Sequence, residues 1–272
     1  MKRCSLDDDA TTSRFTEARL QHSRLQSIVT AHLARQSRHE RHPVIDFLFE
    51  YYTCRPAQLL RHSPGQSPLP AERRPAAEWI TGLLDATLHR PPQFNCHGLH
   101  EWAMVFNGEA RRHDLPLRLP QSEIDALVRS LPVNCTHFDA YRFFTPSARP
   151  LNRVPVTRPR QADFDQPGCL HANMDLYKWA YKFQPWLPSE LMTDAFLLAL
   201  EIREVDMRAT PYDLTRYGYA AIPIETPEGR QEYQRLQQEL SGKAQLLRAR
   251  LLDAYRMLLE VRPLQYPQPA LP

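Results

Sequence analysis

Twenty-five prolines divide the 272-residue chain, and nearly every stretch they leave uncut carries a helical period. Proline fixes φ and removes a backbone donor, so it ends helices and is confined to the edges of sheets. Between the prolines, apolar residues return at three- and four-residue spacing, and alternating strand patterns are scarce. "SRFTEARLQHSRLQSIVTAHLARQSR" is amphipathic and starts on a Ser that can cap it. "HPVIDFLFEYYTC" carries Pro43 in a position suited to a first helical turn, and "SEIDALVRSL" offers Ser122 as a cap. "RPAAEWITGLLDATLH" and the apolar "PSELMTDAFLLALEIREVDMRA" read as helices, the latter central. A long C-terminal helix follows, with Ser241-Gly242 as a candidate kink. The pattern predicts an all-α fold: a single multi-helix domain with long Pro-rich loops.

The expected organisation is an N-terminal helical segment over 1–40, a main helical domain over 41–261 and a disordered Pro-rich tail over 262–272. Residues 61–75 and 145–168 read as irregular, and loops of the second one's length are more often functional or disordered than decorative.

Composition narrows the class. Hydrophobic residues are 42% and charged residues 24%, as in soluble globular chains. No apolar run approaches the ~20 residues that cross a bilayer, and the start "MKRCSLDDDATTSRF" has no apolar signal core. A cytoplasmic protein without membrane contact is expected. The five cysteines form no C-x-x-C pair, which argues for reduced thiols, although Cys96, Cys135 and Cys169 each precede a histidine by one or two residues. Eight glycines with no G-x-G arrangement exclude a phosphate loop and a dinucleotide fingerprint. The net charge of +3 permits a nucleic-acid partner without demanding one.

The chemistry-bearing residues cluster in a few phrases. His42/Asp46, His97/Glu101 and His171/Asp175 are each four residues apart, so on a helix each pair shares a face. "CTHFDAYRFF" adds His137 and Asp139, and "LEIREVDM" adds Glu201, Glu204 and Asp206. Imidazole and carboxylate from several helices can hold iron or zinc, and the candidate ligands are His97, His100, Glu101, His137, His171, Asp175 and Glu201. That set implies a di-iron-type oxidase or a metal-dependent hydrolase. Neither Glu-x-x-His nor H-E-x-x-H occurs, since "HEWAM" ends on methionine. The alternative is a non-catalytic interaction protein, whose polar pairs merely fix helix packing.

Several phrases taken in order, "RHPVIDFLFEYYTCRPAQLLRHSPG", "GLHEWAMVF", "CTHFDAYRFFTPSARPLN", "PGCLHANMDLYKWAYKFQP" and "EIREVDMRATPYDL", carry a resemblance. Together they are similar to a family of bacterial proteins commonly catalogued as 3-methyladenine DNA glycosylases, from Arg41 to the "IETPEGRQEY" segment. The resemblance implies release of alkylated purines from damaged double-stranded DNA by N-glycosidic hydrolysis, without a cofactor. The Gly-rich helix-hairpin-helix loop of other helical alkyl-base glycosylases does not occur here, so residue roles rest on local chemistry. A carboxylate would stabilise the developing sugar cation, with Asp46, Glu101, Asp139 and Asp175 as candidates. Tyr177 and Trp179 are candidates to stack on the flipped base, and Arg142, Arg149 and Arg153 to hold phosphates.

Overall fold

The computed structural model describes residues 6–65, 67–109 and 113–260, and all of their regular structure is helical. Among the described residues no strand forms; three isolated bridges join Pro64 to Pro188, Leu117 to Tyr212 and Val133 to Asn152. The tail expected to be disordered lies outside the described residues. The fold is all-α, and its contacts divide the chain into two compact units, 1–62 and 63–272.

The first unit contains α1 (Leu6–Ser37), α2 (Ile45–Tyr51) and α3 (Pro56–Leu59). The division falls after His62, beyond the expected residue 40, because α2 is tied to α1 through Asp46. The buried Asp46 carboxylate accepts from Arg35 Nε at 2.9 Å and from the His42 backbone N–H at 2.8 Å, and lies 2.8 Å from His32 Nδ1. His32 in turn stacks on Phe49 with ring centroids 4.2 Å apart. Residues on both sides of position 40 therefore share one ion-pair network.

The second unit runs through α4 (Arg74–His89), α5 (Leu99–Ala103), α6 (Gln121–Ser130), α7 (Phe138–Tyr141), α8 (Gln161–Phe164), α9 (Leu170–Lys182), α10 (Ser189–Arg208) and α11 (Pro227–Glu260). In α4, Pro75 occupies the first turn, where its missing N–H costs nothing, and Ala77, Ile80, Leu83, Leu84 and Thr87 form the buried stripe. Ser122 lies inside α6 and caps nothing; Pro120 flanks the start instead. Helix α11 continues unbroken through Ser241-Gly242 and packs along α4, α9 and α10, while α9 packs along α10.

Helix α9 is the centre of this unit, buried on almost every side. Its polar groups must therefore find partners inside the protein, since an unpaired buried donor or acceptor costs about 1–3 kcal/mol. Helix α11 supplies several. Arg248 donates to Asn173 Oδ1 at 2.5 Å, Tyr255 to the Trp179 carbonyl at 2.9 Å, and Ser241 and Gln237 to the carbonyls of Pro167 and Gly168. The irregular stretch 145–168 is broken by short turns at Arg149–Leu151 and Arg158–Arg160 and by α8.

Candidate metal centre

Three helices bring their ends together around one buried cluster. Gly98, at φ 73°, turns the chain into α5; a Cβ there would stand 3.2 Å from both Ala209 and Tyr233. Glycine thus permits the close approach as well as the left-handed backbone. All five residues of α5 are buried, and Trp102 Nε1 donates to the Ala209 carbonyl at 2.8 Å. That bond pins α5 to the C-terminal end of α10 and sets His100 and Glu101 beside Asp206. The first turn of α9 adds His171.

His100, Glu101, His171 and Asp206 each offer one ligand atom, all within 4.8 Å of one another. His100 Nε2 lies 3.1 Å from Asp206 Oδ1, and His171 Nε2 lies 3.9 Å from Asp206 Oδ2. The two imidazoles meet edge to face, with centroids 4.5 Å apart. Three buried atoms here, His100 Nε2, Glu101 Oε2 and Asp206 Oδ1, have no hydrogen-bond partner. The His100–Asp206 approach is close but not aligned as a hydrogen bond. Meanwhile His100 Nδ1 lies 3.3 Å from Cys96 Sγ, a contact that holds the ring with Nε2 turned toward the carboxylate.

The electrostatics follow from burial. Asp206 is fully enclosed; burial opposes its charge, yet His100 and His171, with Arg203, hold it well below the usual carboxylate range. Burial also opposes a charged His100, but the Asp206 carboxylate, with Cys96, raises it well above an ordinary histidine. His171 goes the other way: burial depresses it against the pull of Asp206, and the neighbouring His100, His137 and Arg203 push it in the same direction as burial. Arg203, also buried, reaches Glu101 Oε1 at 3.6 Å and Asp206 Oδ2 at 3.5 Å. Two carboxylates face one arginine, and the raised His100 supplies the second positive charge, which a bound cation would replace on displacing the His100 proton.

A second group, His137, Asp139 and Asp175, is differently balanced. Lys178 Nζ lies 2.6 Å from Asp175 and 3.2 Å from Asp139, and Arg158 pairs with Asp139 at 2.8 Å. His137 Nδ1 contacts Asp165 at 2.9 Å, with Nε2 3.6 Å from Asp175. Lysine and arginine already supply the cations. The two groups meet where His137 lies against His171, centroids 5.8 Å apart.

Several candidates from the sequence take other places. His171 and Asp175 share α9 but divide between the two groups, so they do not face one ion. His97 sits at φ 48° before α5, off the helical face it would share with Glu101, and belongs to neither group. Glu201 is on the outer side of α10, paired with Lys243 at 2.6 Å. Asp46 is consumed by its pairs with His32 and Arg35 in the first unit. Tyr177 and Trp179 are core residues, not a stacking platform: Tyr177 is fully buried against Phe196, and Trp179 packs on Trp79. Arg142, Arg149 and Arg153 are exposed.

Asp206 stands in its phrase beside Glu201 and Glu204, but the candidate ligand set takes Glu201 instead, and a signal for Asp206 exists. Ala195, Ala199, Ile202, Asp206 and Ala209 form one buried stripe at heptad spacing. A carboxylate on an apolar stripe needs a buried partner, whereas Glu201 and Glu204 lie off it.

A small cavity opens on the imidazole side of the cluster, lined by His100 and His171 and walled by Cys96, Cys135, Cys169, Gln237 and Tyr233, among others. The three cysteines that precede histidines in sequence thus converge. Burial pushes the Cys135 and Cys169 thiols well up, so they stay protonated. Comparison of the chain with protein-family models, with curated proteins and with solved structures finds no match.

Proposed function

We propose that the 63–272 unit is a metal-dependent enzyme, an oxidase or hydrolase, whose centre is held by His100, Glu101, His171 and Asp206. The observation that carries this reading is the trio of buried atoms without hydrogen-bond partners, His100 Nε2, Glu101 Oε2 and Asp206 Oδ1, within one cluster. Buried polar groups are ordinarily satisfied, and a cation ligated by all three would satisfy them together. Two imidazole nitrogens with two carboxylate oxygens suit iron or zinc. Such an ion would act as a Lewis acid and lower the pKa of bound water. Elemental analysis of protein purified without a histidine tag tests it, and about one iron or zinc per chain is expected. His100→Ala and Asp206→Asn should each lose the metal while remaining folded. Absence of metal as purified, with no uptake of ferrous iron or zinc in titration calorimetry, overturns it.

A second reading, excision of alkylated purines from duplex DNA, draws on the family resemblance and on one surface feature. Arg149, Arg153, Arg158 and Arg160 are exposed along the irregular stretch, and Arg142 is exposed just before it, as a phosphate-binding surface requires. Release of free 3-methyladenine from methylated duplex DNA would support it, with binding that weakens steeply as salt rises. No base released above a no-enzyme control overturns it.

A further inference from the structure

The cavity beside the cluster is asymmetric with respect to the four candidate ligands. His100 and His171 line it; Glu101 and Asp206 do not. The carboxylates would thus hold an ion from the side away from the cavity, and the imidazoles from the side that lines it. The rest of the wall, Leu170 included, carries no acidic or basic side chain. Thiols, amides, a hydroxyl and the Tyr233 phenol line it, and among the described residues no lysine, arginine, aspartate or glutamate does. Gln237 contributes a buried Oε1 that has no hydrogen-bond partner. Apart from the two imidazoles, no side chain on that wall would offset the hydration lost by a charged ligand. The space itself admits about one water-sized group.

We propose that this cavity is the binding position for a small uncharged diatomic ligand of the dioxygen class, reached at an open coordination position between His100 and His171. The inference rests on the metal-centre reading and adds to it the identity of the exogenous ligand and the side from which it binds. It also gives the convergent cysteines a role. Cys96 holds the His100 ring, and Cys135 and Cys169 form part of the cavity wall.

Nitric oxide, a neutral diatomic, is the probe. The full chain is loaded anaerobically with ferrous iron, the bound iron is counted, and nitric oxide is added. The expected result is a half-integer-spin iron–nitrosyl resonance accounting for most of the bound iron. Cys135→Met, which fills the cavity from its wall, should retain iron and reduce that signal at least tenfold at limiting nitric oxide. Cys169→Met tests the same wall from the start of α9, should the first variant not fold. Iron that binds without giving the nitrosyl signal overturns this inference and leaves the metal centre standing. Nitrosyl signal undiminished in a folded, iron-loaded filling variant also overturns it. Failure to bind iron at all removes the centre, and this inference with it.

Discussion

His100 Nε2 and Asp206 Oδ1 lie 3.1 Å apart, and neither completes a hydrogen bond. Two atoms bound about 2.1 Å from one ion are separated by about 3 Å at a right angle and about 3.4 Å at a tetrahedral one. The spacing therefore suits two ligands of a shared ion. A cation that binds the folded state alone stabilises it by about 2.7 kcal/mol at one hundred times its Kd. In a unit of this size that raises Tm by roughly 5 to 11 °C. Thermal unfolding with and without ferrous iron or zinc measures the shift, and Asp206→Asn should abolish it.

Arg203 is the permanent cation facing Glu101 and Asp206, and all three are buried. Removing one member of a buried ionic group leaves its partners uncompensated, at a cost of about 3–5 kcal/mol. Arg203→Met should lower metal-free stability by that order in urea titrations. A bound divalent ion supplies the missing charge, so added metal should restore a larger share of stability in the variant than in the wild type. A metal-free variant as stable as the parent would contradict this charge balance.

The helices were legible because proline and the helical period act locally. The division of the site was not. His171 and Asp175 share a face of α9 by spacing, but Lys178, one turn after Asp175, captures that carboxylate and leaves His171 to Asp206. Which neighbour wins depends on tertiary distances that spacing does not contain. Tyr177 and Trp179 misled for a related reason: an aromatic in a polar phrase looks like a platform, yet α9 is enclosed on nearly every side. Asp206 was recoverable from its place on the apolar stripe of α10.

Two glycines should respond oppositely to the same substitution. A Cβ on Gly168 would stand 2.2 Å from the Gln93 carbonyl oxygen, a backbone atom that cannot swing aside. Gly168→Ala should cost about 1–3 kcal/mol as overpacking, and should disturb the start of α9 that carries His171. Gly242 lies within α11, where an added Cβ would meet nothing within 4 Å. There alanine relieves the helix of glycine's chain entropy, so Gly242→Ala should stabilise by roughly 0.5–1 kcal/mol. Paired urea denaturation curves separate the two effects.

The first unit should lose stability in acid in two steps, both set by its ion-pair network. Burial and the charge on Arg35 depress His42, so the folded state resists protonation there. Below the unfolded histidine value of about 6.5, the unfolded chain takes up the proton first, and stability begins to fall. Asp46 acts lower on the scale. Burial would raise it, but hydrogen bonds from Arg35, the His42 N–H and His32 prevail and lower it. Its contribution is therefore present above the unfolded aspartate value of about 3.9 and is lost as pH falls through the depressed folded value. Amide hydrogen exchange in α2, corrected for intrinsic rates, should show protection declining below about pH 6.5 and again below about pH 4. Asp46→Asn should lower protection at neutral pH and erase the second decline, because no charge remains there to be neutralised. A variant that keeps the second decline would assign it to another carboxylate.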